Sequence, residues 1–214
     1  MKALFTAHNS QAHSVVIRHA IIGISLLLLL LPAAVQGQSD YVEYYGQSLR
    51  INKIGMAVLG SWALANISVG AYGWSQQSGQ RSYFHQMNVF WNAVNLCIAG
   101  FALYSNLTAD YALLSGEELL EMQFKTQRLY LINAAVDVGY VSVGFLLKYL
   151  ATKYPNNELR LRGYGNSVIL QGSFLFVFDL LMYGFLRGQR ADFLQQLSFS
   201  PMQDAWGLAL TYQF

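Results

Sequence analysis

Apolar residues fall along this chain in four long stretches, roughly 54–74, 84–104, 129–150 and 166–187. Each is long enough for a helix to cross a bilayer, and none carries Lys or Arg in its central part. The fourth, "VILQGSFLFVFDLLMYGFL", is apolar around nearly its whole circumference, where a soluble helix needs a charged outer face. The first and second are diluted by polar residues, so a soluble, secreted four-helix bundle stands as the alternative to four membrane spans.

Those polar residues are not scattered. In "YFHQMNVFWNAVNL", His85, Asn88, Asn92 and Asn95 follow one another at spacings of three, four and three. At 100° per residue they share one helix face, which Ala99 and Ala102 extend. The third stretch has Asn133, Asp137, Tyr140 and Gly144; the fourth has Ser167, Gln171 and Asp179 at multiples of four. The first places Asn66 near its centre, with Gly70 and Gly73 on the same side. Its Ala57, Ser61 and Ala65 recur every four residues, a small-residue pattern that lets helices approach closely. Facing lipid, each unsatisfied polar group would cost several kilocalories. The expected fold is therefore an all-α membrane protein: four transmembrane helices in a bundle around a buried polar seam.

The flanking segments predict the connections. Residues 38–53 read as a polar, tyrosine-rich lead-in and "SQQSGQRS", 75–82, as a short loop. Ser115 followed by Glu118 is a capping-box pattern, which opens one long helix running on into the third span. "KYPNNELRLRGYG", 153–165, contains a Pro-Asn-Asn turn. In "AWGLALTYQF", apolar Trp206, Leu208, Leu210, Tyr212 and Phe214 alternate with smaller or polar residues, a strand signal. "LSFSP" before it would be the hairpin partner. Residues 191–214 are thus expected as a short C-terminal β-hairpin or strand on the outer membrane surface.

At the other end, "AIIGISLLLLLLP" after Lys2 and Arg18 reads as a secretory signal, with cleavage expected after Gly37 in "AAVQG". The alternative is an uncleaved anchor adding a fifth span. The resulting division is 1–37 signal peptide, 38–190 transmembrane domain and 191–214 extracytoplasmic tail. With the signal removed, both termini lie outside. The loops holding Arg81, Lys148, Lys153, Arg160 and Arg162 then lie in the cytoplasm, in line with the positive-inside rule.

Composition sharpens this picture. Of 214 residues, 54% are apolar and only 11% charged, against about 25% charged in soluble domains. A net charge of +2 gives no nucleic-acid surface. Cys97 is the single cysteine, which excludes an intramolecular disulfide, and it reads as a small packing residue. His85 is the one histidine beyond the signal, so a bis-histidine haem site within one chain is excluded, and no cofactor is expected. Glu117, Glu118 and Glu121 lack the Glu-x-x-His pairs of di-iron bundles and read as a solvated helix face. Ser173 lacks a G-x-S-x-G context, and "RGYG" lacks the glycine spacing and Lys of a phosphate loop. None of these supports an enzyme.

Asp137 and Asp179 stand apart. Intramembrane carboxyls are costly and are functional candidates by default, and no Lys or Arg lies at comparable depth to neutralise them. They must be protonated, share a proton, or hold a cation with nearby amide oxygens. Two readings follow for Asn66, His85, Asn88, Asn92, Asn95, Asn133, Asp137, Tyr140, Gln171 and Asp179. The leading one is a structural or interaction module, with amides holding the helices in register. The alternative is a small transporter or a proton- or cation-conducting protein using the two aspartates. The expected partners are the lipid bilayer, a second copy or another membrane protein, and a monovalent cation or proton.

The strings "YFHQMNVFWNAVNLCIAGFALY", "NAAVDVGYVSVGFLL" and "RLRGYGNSVILQGSFLFVFDLLMYG" together resemble a bacterial family of small membrane proteins classed as a domain of unknown function, over about residues 45–190. The resemblance implies an integral membrane protein and brings no activity, cofactor or catalytic residue. The C-terminal strand lies outside it.

Overall fold

In the computed structural model, the structure describes the backbone of residues 2–199 and the side chains of 38–197. Four long helices carry nearly all of it: α1 (Lys2–Gln76), α2 (Gly79–Leu107), α3 (Gly116–Ala151) and α4 (Glu158–Phe199). A 3₁₀ turn, Pro155–Asn157, precedes α4. Each of the four expected spans lies inside one helix, and Gln38–Gln76, α2, α3 and Pro155–Leu197 are all long and apolar enough to cross a membrane.

The chain reverses in less space than the sequence suggests. The expected loop 75–82 shrinks to Gln77 and Ser78, because α1 continues to Gln76 and α2 begins at Gly79. Gly79 has φ +62°, a left-handed turn that glycine adopts without strain. Ser115 caps α3 as expected. Its hydroxyl accepts from the Glu118 backbone N–H at 3.3 Å, while Glu118 Oε2 accepts from the Ser115 N–H at 2.8 Å. The helix then runs unbroken through the third span.

The bundle is packed as two hairpins, α1 on α2 and α3 on α4, joined chiefly through α2 and α4. Close approach is built from glycines. A Cβ on Gly144 of α3 would sit 2.9 Å from the Gly165 carbonyl of α4, and one on Gly165 would sit 2.7 Å from the Gly144 carbonyl, so only hydrogen fits at either position. The expected small-residue face of α1 plays no such part. Ala57, Ser61 and Ala65 are exposed, and α1 instead buries Gly55, Met56, Leu59, Ala63 and Gly70. That face joins Met56 and Leu59, which fill the core, with Gly55 and Gly70, which let Met182 and Val89 approach, so it gains more by inward burial. Cys97 is likewise exposed rather than packed inside, because it lies on the same outward side of α2 as Val94 and Phe101.

Only 22–33% of each apolar window is buried. The remainder puts Leu and Val outward on every helix, with Ile or Phe beside them. A soluble bundle turns its charged face outward; this one turns its polar face inward. The arrangement is that of a protein whose outer solvent is lipid.

The C-terminal region departs from expectation where it is described. Residues 191–199 continue α4, so Leu197 to Phe199 are helical and do not form the first strand of a hairpin. The reason is local. Phe193 lies on the inner face of α4, stacks on Tyr44 at 4.2 Å and meets Tyr41 edge-on, and this anchors the extra turns to α1. No strand occurs among the described residues. The alternating stretch 206–214 lies outside them.

Candidate functional site

The seam is a series of polar layers stacked along the bundle axis, and they differ in how well they are satisfied. In one layer Gln171 of α4 is the hub. Its Oε1 accepts from the Trp62 indole at 2.9 Å, and its Nε2 donates to Asn66 Oδ1 at 3.2 Å and Asn88 Oδ1 at 3.0 Å. Ser167 adds a 2.6 Å bond to the same Asn88 oxygen. Asn66 and Asn92 turn their amides back onto their own helices, to the carbonyls of Trp62 and Asn88. Three helices are thus tied at one level, with Asn88, Asn92, Ser167 and Gln171 buried and Trp62 and Asn66 half-buried. A phenyl–indole stack of Phe174 on Trp62, 3.9 Å apart and 5° from parallel, covers this layer.

Toward the α2–α3 connection lies a layer that ties the helix extensions. Tyr130 donates to Asn52 Oδ1 at 3.1 Å, Gln123 donates to the Leu186 carbonyl at 3.0 Å, and Ser48 donates to Gln189 Oε1 at 2.7 Å. Gln189 in turn reaches the Tyr44 carbonyl at 2.8 Å.

A cavity of about 370 Å³ lined by all four helices holds the third polar group. Asp137 of α3 and Asp179 of α4 both stand in its wall. Asp137 Oδ2 has no partner, and neither does Nδ2 of the adjacent lining residue Asn95. Both residues are buried. Met56, Leu59, Trp91, Tyr130, Leu175 and Phe178 supply much of the remaining wall. Among the described residues no Lys or Arg lines the cavity beside the carboxyls.

The expected site residues therefore separate. Asn66, Asn88, Asn92 and Gln171 belong to the amide layer, in which Asn92 Oδ1 alone of these four residues is buried without a partner. Asn95, Asp137 and Asp179 belong to the cavity. Asn133 and Tyr140 also line it, but from its exposed edge rather than the interior. His85 is in neither group: its ring packs against Gly73 of α1, and Nδ1 has no partner.

Sequence reasoning missed Trp62, whose indole N–H needed a partner once buried. It also missed the layer of Ser48, Asn52, Gln123, Gln127 and Tyr130. Their signal was present. Tyr44, Ser48 and Asn52 repeat every four residues, and Gln123, Gln127, Tyr130, Ala134 and Asp137 form one continuous face.

Neither a curated protein nor a solved structure matches the chain. The model of a family of unknown function (DUF6992) matches residues 58–180, a span that contains the amide layer and both aspartates. Since that match takes in more than half of its length, the chain belongs to this family of unknown function.

Proposed function

We propose that this is an integral protein of a bacterial inner membrane with a divided interior: an amide layer that fixes helix register, and a carboxyl pair that takes up a proton or a monovalent cation. The observation that carries the second part is the cavity, which reaches both aspartates and leaves Asp137 Oδ2 unpartnered. Two carboxyls in one cavity wall can bond to each other only when one of them carries a proton. Two like charges side by side in a low-dielectric interior are strongly disfavoured. With one shared proton the pair keeps a single negative charge, which one monovalent cation neutralises. With two protons it is neutral and needs no cation. Cation uptake then releases one proton, and charge is conserved at the site. Among the described residues no group of three or more acidic, imidazole or thiol side chains meets to favour a multivalent metal. The role is one of binding and exchange rather than catalysis.

Both termini are placed outside the cell and the short α1–α2 and α3–α4 connections inside, in keeping with the basic residues near those connections. We further assign 1–37 to a signal removed after Gly37. A 75-residue helix would be about 110 Å long, more than twice a bilayer of about 40–45 Å, so α1 does not serve as one transmembrane rod.

The test is a comparison of wild type with Asp137→Asn and Asp179→Asn in proteoliposomes. Proton, sodium and potassium flux, and thermal stabilisation by each cation, are measured. A response in wild type that either substitution abolishes is expected. A wild type indistinguishable from both variants would leave only the amide layer and the structural role. Orientation is tested separately with Cys97→Ala carrying a cysteine at Thr108 or Asn156. Thr108 should label from outside with an impermeant maleimide, and Asn156 only after lysis; the reverse would invert the topology.

A further inference from the structure

The cavity has an opening as well as a floor. Val94 and Ile98 of α2 are 60% and 53% exposed, and Val136 of α3 is 46% exposed, yet all three line it. Asp137 and Asp179, at 3% and 6%, form its floor. The mouth therefore lies on the side of the bundle, between α2 and α3. It is framed on the side of the α1–α2 turn by Trp91 and Tyr140, whose rings meet edge-on at 4.8 Å. These residues are near the middle of their spans, so the mouth faces hydrocarbon rather than water.

We propose that this cavity is a binding site for a membrane-soluble organic ammonium ion, which enters from the bilayer between α2 and α3. The inference deepens the cation reading above and rests on it. Four observations support an organic cation over an inorganic one. Aromatic side chains Trp91, Tyr130, Tyr140 and Phe178 share the wall with the carboxyls, and ring faces attract ammonium groups. Sodium, potassium or a divalent ion would seek a shell of oxygen ligands, whereas this wall is mostly apolar. The free Asp137 Oδ2 can accept an N–H from the ligand. The volume of about 370 Å³ falls within the range of small-molecule sites, about 300–1,000 Å³.

The mouth also accounts for Asn133. This residue is exposed at span depth and lines the cavity edge, a costly position if it met only lipid. Beside the mouth its amide can bond to the polar end of an entering amine. The ligand's charge sits against the carboxyl pair, and its alkyl part lies toward Val94, Ile98 and the bilayer.

Hexylammonium is a suitable probe, with hexanol as its uncharged counterpart of equal chain length. Purified full-length protein in phosphatidylcholine nanodiscs is titrated with each, and Trp fluorescence and thermal stability are followed. Hexylammonium is expected to bind and to raise the melting temperature, with proton release when the titration begins at low pH. Hexanol should bind at least about tenfold more weakly. Asp137→Asn should lose that preference. Ile98→Trp, at the exposed rim, should weaken hexylammonium binding by a similar factor while leaving the protein folded.

Equal binding of hexylammonium and hexanol by wild type, alongside a proton, sodium or potassium response that depends on Asp137, would overturn the organic-cation assignment and leave the cation reading standing. Binding unaffected by Ile98→Trp would overturn entry through this mouth. A wild type that responds to none of these ions through Asp137 would remove both readings.

Discussion

Two polar groups lie within the same bundle, and they are built on opposite terms. Around Gln171, donors and acceptors from α1, α2 and α4 are matched to one another. Around Asp137, a carboxylate oxygen and an amide nitrogen are buried without partners beside open space. Both groups are deeply buried, so burial alone does not separate structural from functional polarity. What separates them is open space beside the unpartnered atoms. Asn92 Oδ1 of the amide layer lacks a partner but is not in the cavity wall, whereas Asn95 and Asp137 are, and an incomplete network next to a cavity can take a ligand.

The largest loss of stability is expected from Gln171→Leu. The change is close in size, but it strands the Trp62 indole and removes a donor from both Asn66 and Asn88. Leaving buried polar groups unpaired costs about 1–3 kcal/mol, so a loss of about 3 kcal/mol is expected, read by reversible unfolding in mixed micelles. A loss below about 0.5 kcal/mol would mean that the amide layer does not lock the bundle.

Tyr130→Phe probes the border between the two groups, since Tyr130 lines the cavity and donates to Asn52. Removing one hydroxyl should cost about 1 kcal/mol and leave cation uptake in place. A variant that stays fully stable but loses uptake would make the Tyr130 hydroxyl, and not only its ring, part of the binding site.

Asp137→Asn should be milder for the fold, at about 1 kcal/mol or less, because the amide keeps hydrogen-bonding capacity and sheds a buried charge. Its effect on cation response should be complete. This contrast with Gln171→Leu, high stability cost without loss of response against low cost with loss, separates the two groups most clearly.

The smallest effect belongs to a site outside both. Glu118→Gln at the cap of α3 retains an acceptor for the Ser115 N–H but loses its charge at the helix N-terminus. A slight fall in melting temperature is expected, with no change in cation response.

Much of this arrangement was legible in the sequence, and the exceptions have physical causes. The α2 stripe could be read because Asn88, Asn92, Asn95 and Ala99 all keep one face, and all are buried. The α3 stripe was read too broadly. At 100° per residue, Asn133 and Tyr140 both lie to the same side of Asp137, by about 40° and 60°, and spacing does not say where a cavity edge begins. The outer layer escaped because Gln38–Lys53 is too polar to register as a span, although Tyr44, Ser48 and Asn52 carry a helical repeat. Trp62 escaped because an indole inside an apolar run reads as bulk until its N–H is counted. No sequence signal told the matched amides of Asn66 and Asn88 from the unmatched Asn95. That depends on which side chains the neighbouring helices bring to the same level.

The most direct test of a divided interior is infrared difference spectroscopy of the purified protein in lipid, recorded on raising pH and again on adding a monovalent cation, inorganic or alkylammonium, at fixed pH. A carbonyl band from a protonated carboxyl should diminish in both experiments in wild type, diminish likewise in Gln171→Leu, and be absent or fixed in Asp137→Asn. The same band changing equally in wild type and in Asp137→Asn, or no such band in wild type at any pH, would contradict a proton-sharing carboxyl pair at the centre of this bundle.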